Sequence, residues 1–239
     1  MTKTTHNKPL TGENQERIWK HFQNEAAQSF EGALPRLDFL AKLVKRLSRS
    51  AQPTVLNIGV GNGHLERKLL AQGWQPHALD PDSEALAKLA SEGVVTHVGY
   101  IDRLPMETET YDFVIASEVL EHLTPSQRSG GLAEIARVLK PGGWFLGTVP
   151  HDENLLSGQV VCPDCGVVFH RWGHFKSFTL ENMKEELTPH FSLVEVRRTA
   201  FVSFSRGILG NIKSLVRVLL AKWGQPIAVP SILWQAQKR

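Results

Sequence analysis

The chain is poor in the residues that would place it in several broad classes. Its two cysteines cannot build a disulfide scaffold. No apolar run follows the polar, basic start Met1 to Leu10, so neither a signal peptide nor a spanning helix is expected there. Charge of one sign is also scarce: 27 Lys and Arg against 24 Asp and Glu leave a net +3. That balance gives little reason to expect a nucleic-acid partner. Cytoplasmic localisation is the default expectation. With 239 residues, 41% of them hydrophobic, the chain can bury a sizeable core.

What is present begins with Val55-Leu56-Asn57-Ile58-Gly59-Val60-Gly61-Asn62-Gly63. An apolar run that breaks into alternating glycines and then a helical pattern reads as a buried strand turning sharply under a ligand. Asp80 closes a second apolar run 21 positions after Gly59. An acid at about that distance holds the ribose hydroxyls in nucleotide-binding α/β units. The turn lacks the Lys-Ser/Thr of a P-loop, since His64-Leu65-Glu66 follows Gly63. It suits an uncharged or cationic ligand better than a triphosphate.

Strand patterns recur near 53–58, 75–79, 94–98, 111–116 and 143–149, with helices at about 63–72, 82–91 and 125–139. Apolar strands alternating with helices predict an α/β fold with a mostly parallel, doubly wound sheet. Two helices, 14–30 and 36–48, precede the first strand. Residues 1–50 read as an N-terminal helical cap and 51–239 as the main domain, with insertions at 151–177 and 205–229. Beyond a loop-like insertion, Thr179 is a plausible N-cap for a helix through Leu187, with Asn182 where a capping box would want Glu or Gln, so no box is expected. Strands through Phe191–Ser203 and Ser231–Gln237 follow.

Several segments together resemble class I S-adenosylmethionine-dependent methyltransferases of the small-molecule type. They are Leu56 to Gly63, Ala78-Leu79-Asp80-Pro81-Asp82, Leu104-Pro105-Met106, Tyr111 through His122, and Leu139-Lys140-Pro141-Gly142-Gly143, in the family's order across about residues 50 to 150. The resemblance implies a Rossmann-like, seven-stranded sheet whose last two strands pair as an antiparallel hairpin. It also implies S-adenosyl-L-methionine as cofactor, with Asn57, Gly59, Gly61 and Gly63 along its methionine and ribose. Asp80 would hold the ribose hydroxyls, Ile101 and Asp102 the adenine, and Ser117 and Glu118 would lie beside the ligand under the acceptor. Two positions depart from the family. Asn57 stands where an acid is usual, and Gly99-Tyr100 replaces the Gly-Asp that often holds the adenine amino group.

The insertion carries Cys162-Pro163-Asp164-Cys165, then His170 and His174, all within 13 residues. Two thiolates in a tight turn with two nearby imidazoles could complete a tetrahedron around zinc. The competing reading is two reduced cysteines in a turn, with histidines packed among Phe169, Trp172 and Phe175. Methyl transfer to a hydroxyl calls for a base, and His122, His151 and His174 are the candidates. Glu121-His122 reads equally as a brace for the loop after its strand. Residues 208–223 form an amphipathic helix pattern with Lys213, Arg217 and Lys222 between apolar positions, either packed on its own domain, lying over an apolar acceptor, or touching a membrane surface.

The sequence thus points to O-methylation of a small molecule or a sugar or glycan acceptor. A catalytically silent, zinc-bearing binding or scaffold protein, or an RNA methyltransferase, are the other readings.

Overall fold

The computed structural model describes residues 12–201, 216 and 230–239. Its N-terminal layer is α1 (Gly12–Asn24), a 3-10 segment Ala27–Ala33, and α2 (Leu34–Leu47). The helix expected over 14–30 therefore ends early. Ala26 leaves helical dihedrals at φ −127°, and the chain turns so that Phe30 packs under Gly61.

Next come β1 (Val55–Ile58), α3 (His64–Leu70), β2 (His77–Asp80), α4 (Ser83–Ala90), β3 (Val95–Val98), β4 (Tyr111–Ser117), α5 (Pro125–Val138) and β5 (Leu139–Pro150). The insertion holds a 3-10 turn, Leu155–Gly158, and a small hairpin of β6 (Gln159–Val161) and β7 (Val168–His170). Last are α6 (Leu180–Leu187), β8 (Leu193–Thr199) and β9 (Ser231–Gln237).

Seven strands form one sheet in the order β3-β2-β1-β4-β5-β9-β8. Strands β1 to β5 pair in parallel, whereas β9 runs antiparallel to both β5 and β8. All four residues of β1 are buried, as a strand covered on both faces requires. The order reverses between β1 and β4. Open α/β sheets take ligands at the carboxyl ends of their strands beside such a switch point.

Two apolar layers cover the sheet. One gathers Leu56, Val114, Leu132, Ile135, Phe145 and Trp234. The other packs Leu40, Val44, Leu65, Leu69, Ile115 and Leu146. α2 thus packs into the second apolar layer against the sheet. At the C-terminal side, Thr179 does close a capping box: its backbone N–H donates to Asn182 Oδ1 at 3.0 Å, and Asn182 N–H to Thr179 Oγ1 at 3.3 Å. An amide oxygen accepts as a Gln oxygen would, and its shorter reach suffices here.

No helix among the described residues is long and apolar enough to cross a membrane. The helix pattern at 208–223 lies outside the described residues, apart from an exposed, helical Val216.

Candidate active site

The β1–α3 turn makes one end of the site. Gly59 and Gly61 have φ of +80° and +53°, in the left-handed region that L side chains resist. A Cβ on Gly61 would stand 3.2 Å from the Phe30 ring, so Phe30 packs directly against this bare backbone. Gly63, also left-handed, caps α3, and its missing Cβ makes room for Leu89 of α4. It serves helix packing and does not line the cavity.

Asp80 ends β2 and is almost fully buried. Its Oδ2 accepts the Val60 N–H at 3.0 Å and Gln23 Nε2 at 3.0 Å, and its Oδ1 accepts the Asp82 N–H at 2.9 Å. Burial pushes its pKa up, opposed by those three hydrogen bonds. Gln23 comes from α1. The same helix sends Gln15 Nε2 to the carbonyls of His122 and Gly173, both at 2.8 Å. Helix α1 is therefore fastened at one end to the acid and at the other to the insertion, and it forms a wall of the cavity.

Asn57 lines the cavity and is paired with a fully buried acid of the next helix. Asn57 Nδ2 donates to Glu66 Oε1 at 2.6 Å, with both residues buried. Burial raises Glu66 to about 7, the hydrogen bond from Asn57 pulling the other way. Sequence reasoning missed Glu66. Its only signal was an acid in the first turn of the helix after an Asn that replaces one.

At the end of β4, Ser117 Oγ accepts from Arg36 Nε at 2.9 Å. Glu118 is held at φ +56°, an uncommon conformation for a residue with a side chain. Arg36 approaches its carboxylate at 3.8 Å. One turn on, Glu121 is fully buried, and neither carboxylate oxygen has a hydrogen-bond partner among the described residues. Its pKa lies well above the usual carboxylate range, from burial first and from Glu118's charge second.

The insertion folds back over this strand end. Phe175 N–H donates to the Glu121 carbonyl at 2.8 Å. His122 Nδ1 lies 3.4 Å from the Gly173 carbonyl, and its ring meets Trp19 and His174 edge-on. Burial, with His174 beside it, holds His122 well below the usual imidazole pKa. His174 Nδ1 sits 2.5 Å from Glu153 Oε2. His170 Nδ1 accepts the His174 backbone N–H at 3.2 Å.

The zinc quartet read from the sequence is not assembled. Among the described residues, the groupings of potential ligands are Glu121, His122 and His174, and Glu153, His170 and His174, each with ligand atoms within 4.8 Å. Cys162 and Cys165 join neither. They occupy the turn at the tip of the β6–β7 hairpin, where Cys165 is exposed. His170 sits at the hairpin's base opposite Gln159, and His174 lies beyond a further turn at Gly173 (φ +71°). Local spacing brought the four close in sequence, and the hairpin separates them.

A cavity of about 1240 Å³ joins these parts. Of the positions read from the sequence, Asn57, Gly59, Gly61, Asp80, Ile101, Ser117, Glu118, His122, His151 and His174 line it. Gly63 and Asp102 do not. Asp102 is an exposed residue whose Cβ faces Gly130 of α5, whereas its neighbours Tyr100 and Ile101 line the cavity. Trp19, Phe22 and Trp172 give the opposite wall an aromatic face.

Residues 56–147 match the family model described as a methyltransferase domain. Over 106 residues the chain is 28% identical to an uncharacterized methyltransferase of Geobacillus kaustophilus, covering 43% of this chain and 49% of the relative. Over 146 residues it is 32% identical to the biotin biosynthesis bifunctional protein BioHC of Teredinibacter turnerae, covering 50% of this chain and 25% of that one. The chain thus spans about half or less of the curated relatives it matches.

In fold it is similar to Burkholderia thailandensis 1,6-didemethyltoxoflavin-N1-methyltransferase, whose structure contains S-adenosylhomocysteine, with TM-score 0.65 and 19% identity over 97% of this chain and 92% of that one. The methyltransferase bound to the Haloferax volcanii Trm112 activator gives TM-score 0.66 at 17% identity, covering 93% and 98%. Residues 56–147 are therefore similar to a methyltransferase domain, and the fold is similar to those of solved methyltransferases.

Proposed function

We propose that this protein transfers the methyl group of S-adenosyl-L-methionine to a hydroxyl of a small molecule or a sugar or glycan acceptor. The observation that carries the reading is a single cavity running from the glycine turn and Asp80 to a wall holding His122, His151 and His174. Its volume of about 1240 Å³ exceeds the roughly 300–1,000 Å³ usual for one ligand, which leaves room for a cofactor and an acceptor together. Gly59 and Gly61 would lie along the methionine and ribose, Asp80 would hold the ribose hydroxyls, and Ile101 would flank the adenine.

The acceptor oxygen attacks the methyl carbon in line with the departing sulfur. The new C–O bond forms as the C–S bond breaks, and the electron pair stays on sulfur to give S-adenosylhomocysteine. The hydroxyl proton leaves to a histidine of the acceptor wall or to water. Holding the two reactants at near-attack distance supplies much of the rate. The aromatic faces of Trp19, Phe22 and Trp172 suit the apolar face of a sugar ring.

The test is incubation of the protein with methyl-labelled cofactor and fractionated cell extract, read by mass spectrometry. A product that gains one labelled methyl in an ether linkage supports the reading. Label on nitrogen or carbon, or cofactor binding with no labelled product in any fraction, overturns the hydroxyl assignment.

A further inference from the structure

Glu121 is the least satisfied group in the molecule's described part. It is fully buried, and both of its oxygens lack a hydrogen-bond partner. An ionised carboxylate left so costs several kcal/mol unless a cation or a proton meets it. Arg36 is spent on Ser117 and Glu118, so no side-chain cation among the described residues answers Glu121 directly.

Two imidazoles face it, with the ligand atoms of all three residues within 4.8 Å of one another. The hydrogen bonds around these rings fix which nitrogen is free. His174 gives its Nδ1 to Glu153 Oε2 at 2.5 Å, and His122 turns its Nδ1 to the Gly173 carbonyl at 3.4 Å. In each ring the proton belongs on Nδ1, which leaves the Nε2 lone pair unshared. A carboxylate or a carbonyl behind Nδ1 is the arrangement found behind metal-bound histidines. The neighbouring group of Glu153, His170 and His174 is a weaker ligand set. Glu153 is already engaged by His174, and the Nδ1 lone pair of His170 receives the His174 backbone N–H.

We propose that Glu121, His122 and His174 hold a first-row divalent cation in the acceptor wall, and that the acceptor presents two adjacent oxygens to its open positions. Two imidazoles and one carboxylate form an N₂O set suited to Mn²⁺, Fe²⁺, Co²⁺ or Zn²⁺. Three protein ligands leave room for substrate oxygens. Glu118, locked in its left-handed conformation beside Glu121, adds negative charge at the rim. The acceptor class is then a vicinal diol, as in a sugar, or a catechol. The cation lowers the pKa of a bound hydroxyl. That oxygen, its proton lost to water, forms the C–O bond as the C–S bond of the sulfonium breaks. Products are the methyl ether, S-adenosylhomocysteine and one proton, with the cation unchanged.

This acceptor assignment rests on the methyltransferase reading; the cation site does not. The test uses full-length protein stripped with a chelator, titrated with Mn²⁺ by calorimetry and electron spin resonance, and in parallel with S-adenosylhomocysteine. One Mn²⁺ per chain is expected. Glu121→Gln and His174→Ala should weaken its binding at least tenfold while leaving the circular dichroism spectrum and the S-adenosylhomocysteine affinity in place. Glu153→Gln should weaken it by about 10–100-fold through His174. Cys162→Ser with Cys165→Ser should leave it unchanged. Normal S-adenosylhomocysteine binding without Mn²⁺ binding overturns the proposal, as does a site lost with the cysteines and kept in Glu121→Gln. Mn²⁺ binding without S-adenosylhomocysteine binding upholds the cation site and sinks the methyltransferase reading.

Discussion

Glu66 carries a stability signature that can be calculated and isolated. Its carboxyl is fully buried beside Asn57, and its pKa rises from the ordinary 4.5 to about 7. Burial is the main cause. The charge of Asp80 adds to the rise, and Asn57 and Arg67 oppose it. A carboxyl whose folded pKa exceeds its unfolded value binds more protons when folded. Its contribution is therefore complete below about pH 4.5 and is lost as pH climbs through about 7. At 1.36 kcal/mol per pK unit, the separation corresponds to about 3 kcal/mol.

Glu66→Gln keeps the amide-to-carbonyl contact with Asn57 but cannot ionise. Urea denaturation of the cofactor-free protein and the variant, followed from pH 5 to pH 9, should give curves that diverge. The two should be close in stability near pH 5, with the variant ahead by about 3 kcal/mol at pH 9, or a midpoint shift of about 1 M urea. Acids not coupled to Glu66 titrate equally in both proteins and cancel in the difference. Parallel profiles across that range would refute the buried-acid assignment.

Two further perturbations probe the frame and the wall. A Cβ on Gly147 would overlap both the ring of buried Trp234 and the Ala116 carbonyl. Gly147→Ala should therefore cost at least about 3 kcal/mol of stability, read as a lowered thermal midpoint. Gln15→Ala removes both hydrogen bonds tying α1 to His122 and Gly173. Hydrogen exchange of α1 amides should then rise about five- to tenfold, while β1 and β4 stay protected.

Much of the fold was legible because its signals are local. Short apolar runs bounded by glycine or polar turns located β1 to β5, although β5 begins at Leu139 and runs through Pro141-Gly142-Gly143, ahead of the 143 read from the sequence. The glycine turn and Asp80 were legible for the same reason, since each occupies the end of such a run. What sequence reasoning missed depends on contacts between distant segments. Gln15 and Gln23 read as ordinary polar positions on α1, yet they reach Gly173 and Asp80. Glu153 carried no motif, and only the fold places it behind His174. The cysteine pair misled in the opposite way. Four potential metal ligands crowded into 13 positions imply convergence only if the chain between them does not form a hairpin. Gly63 likewise fits the motif's spacing, but its conformation serves the junction with Leu89.

Every functional step requires the cavity between the glycine turn and Asp80 to accept a sulfonium nucleoside. Calorimetric titration of S-adenosylmethionine into the full-length wild type and Asp80→Asn tests that most directly. One site per chain is expected in the wild type. Its affinity should fall at least about tenfold in the variant, as befits hydrogen bonds to a charged acceptor worth about 1.5–3 kcal/mol. Absence of binding to folded wild-type protein, or equal affinity in the two, would contradict it.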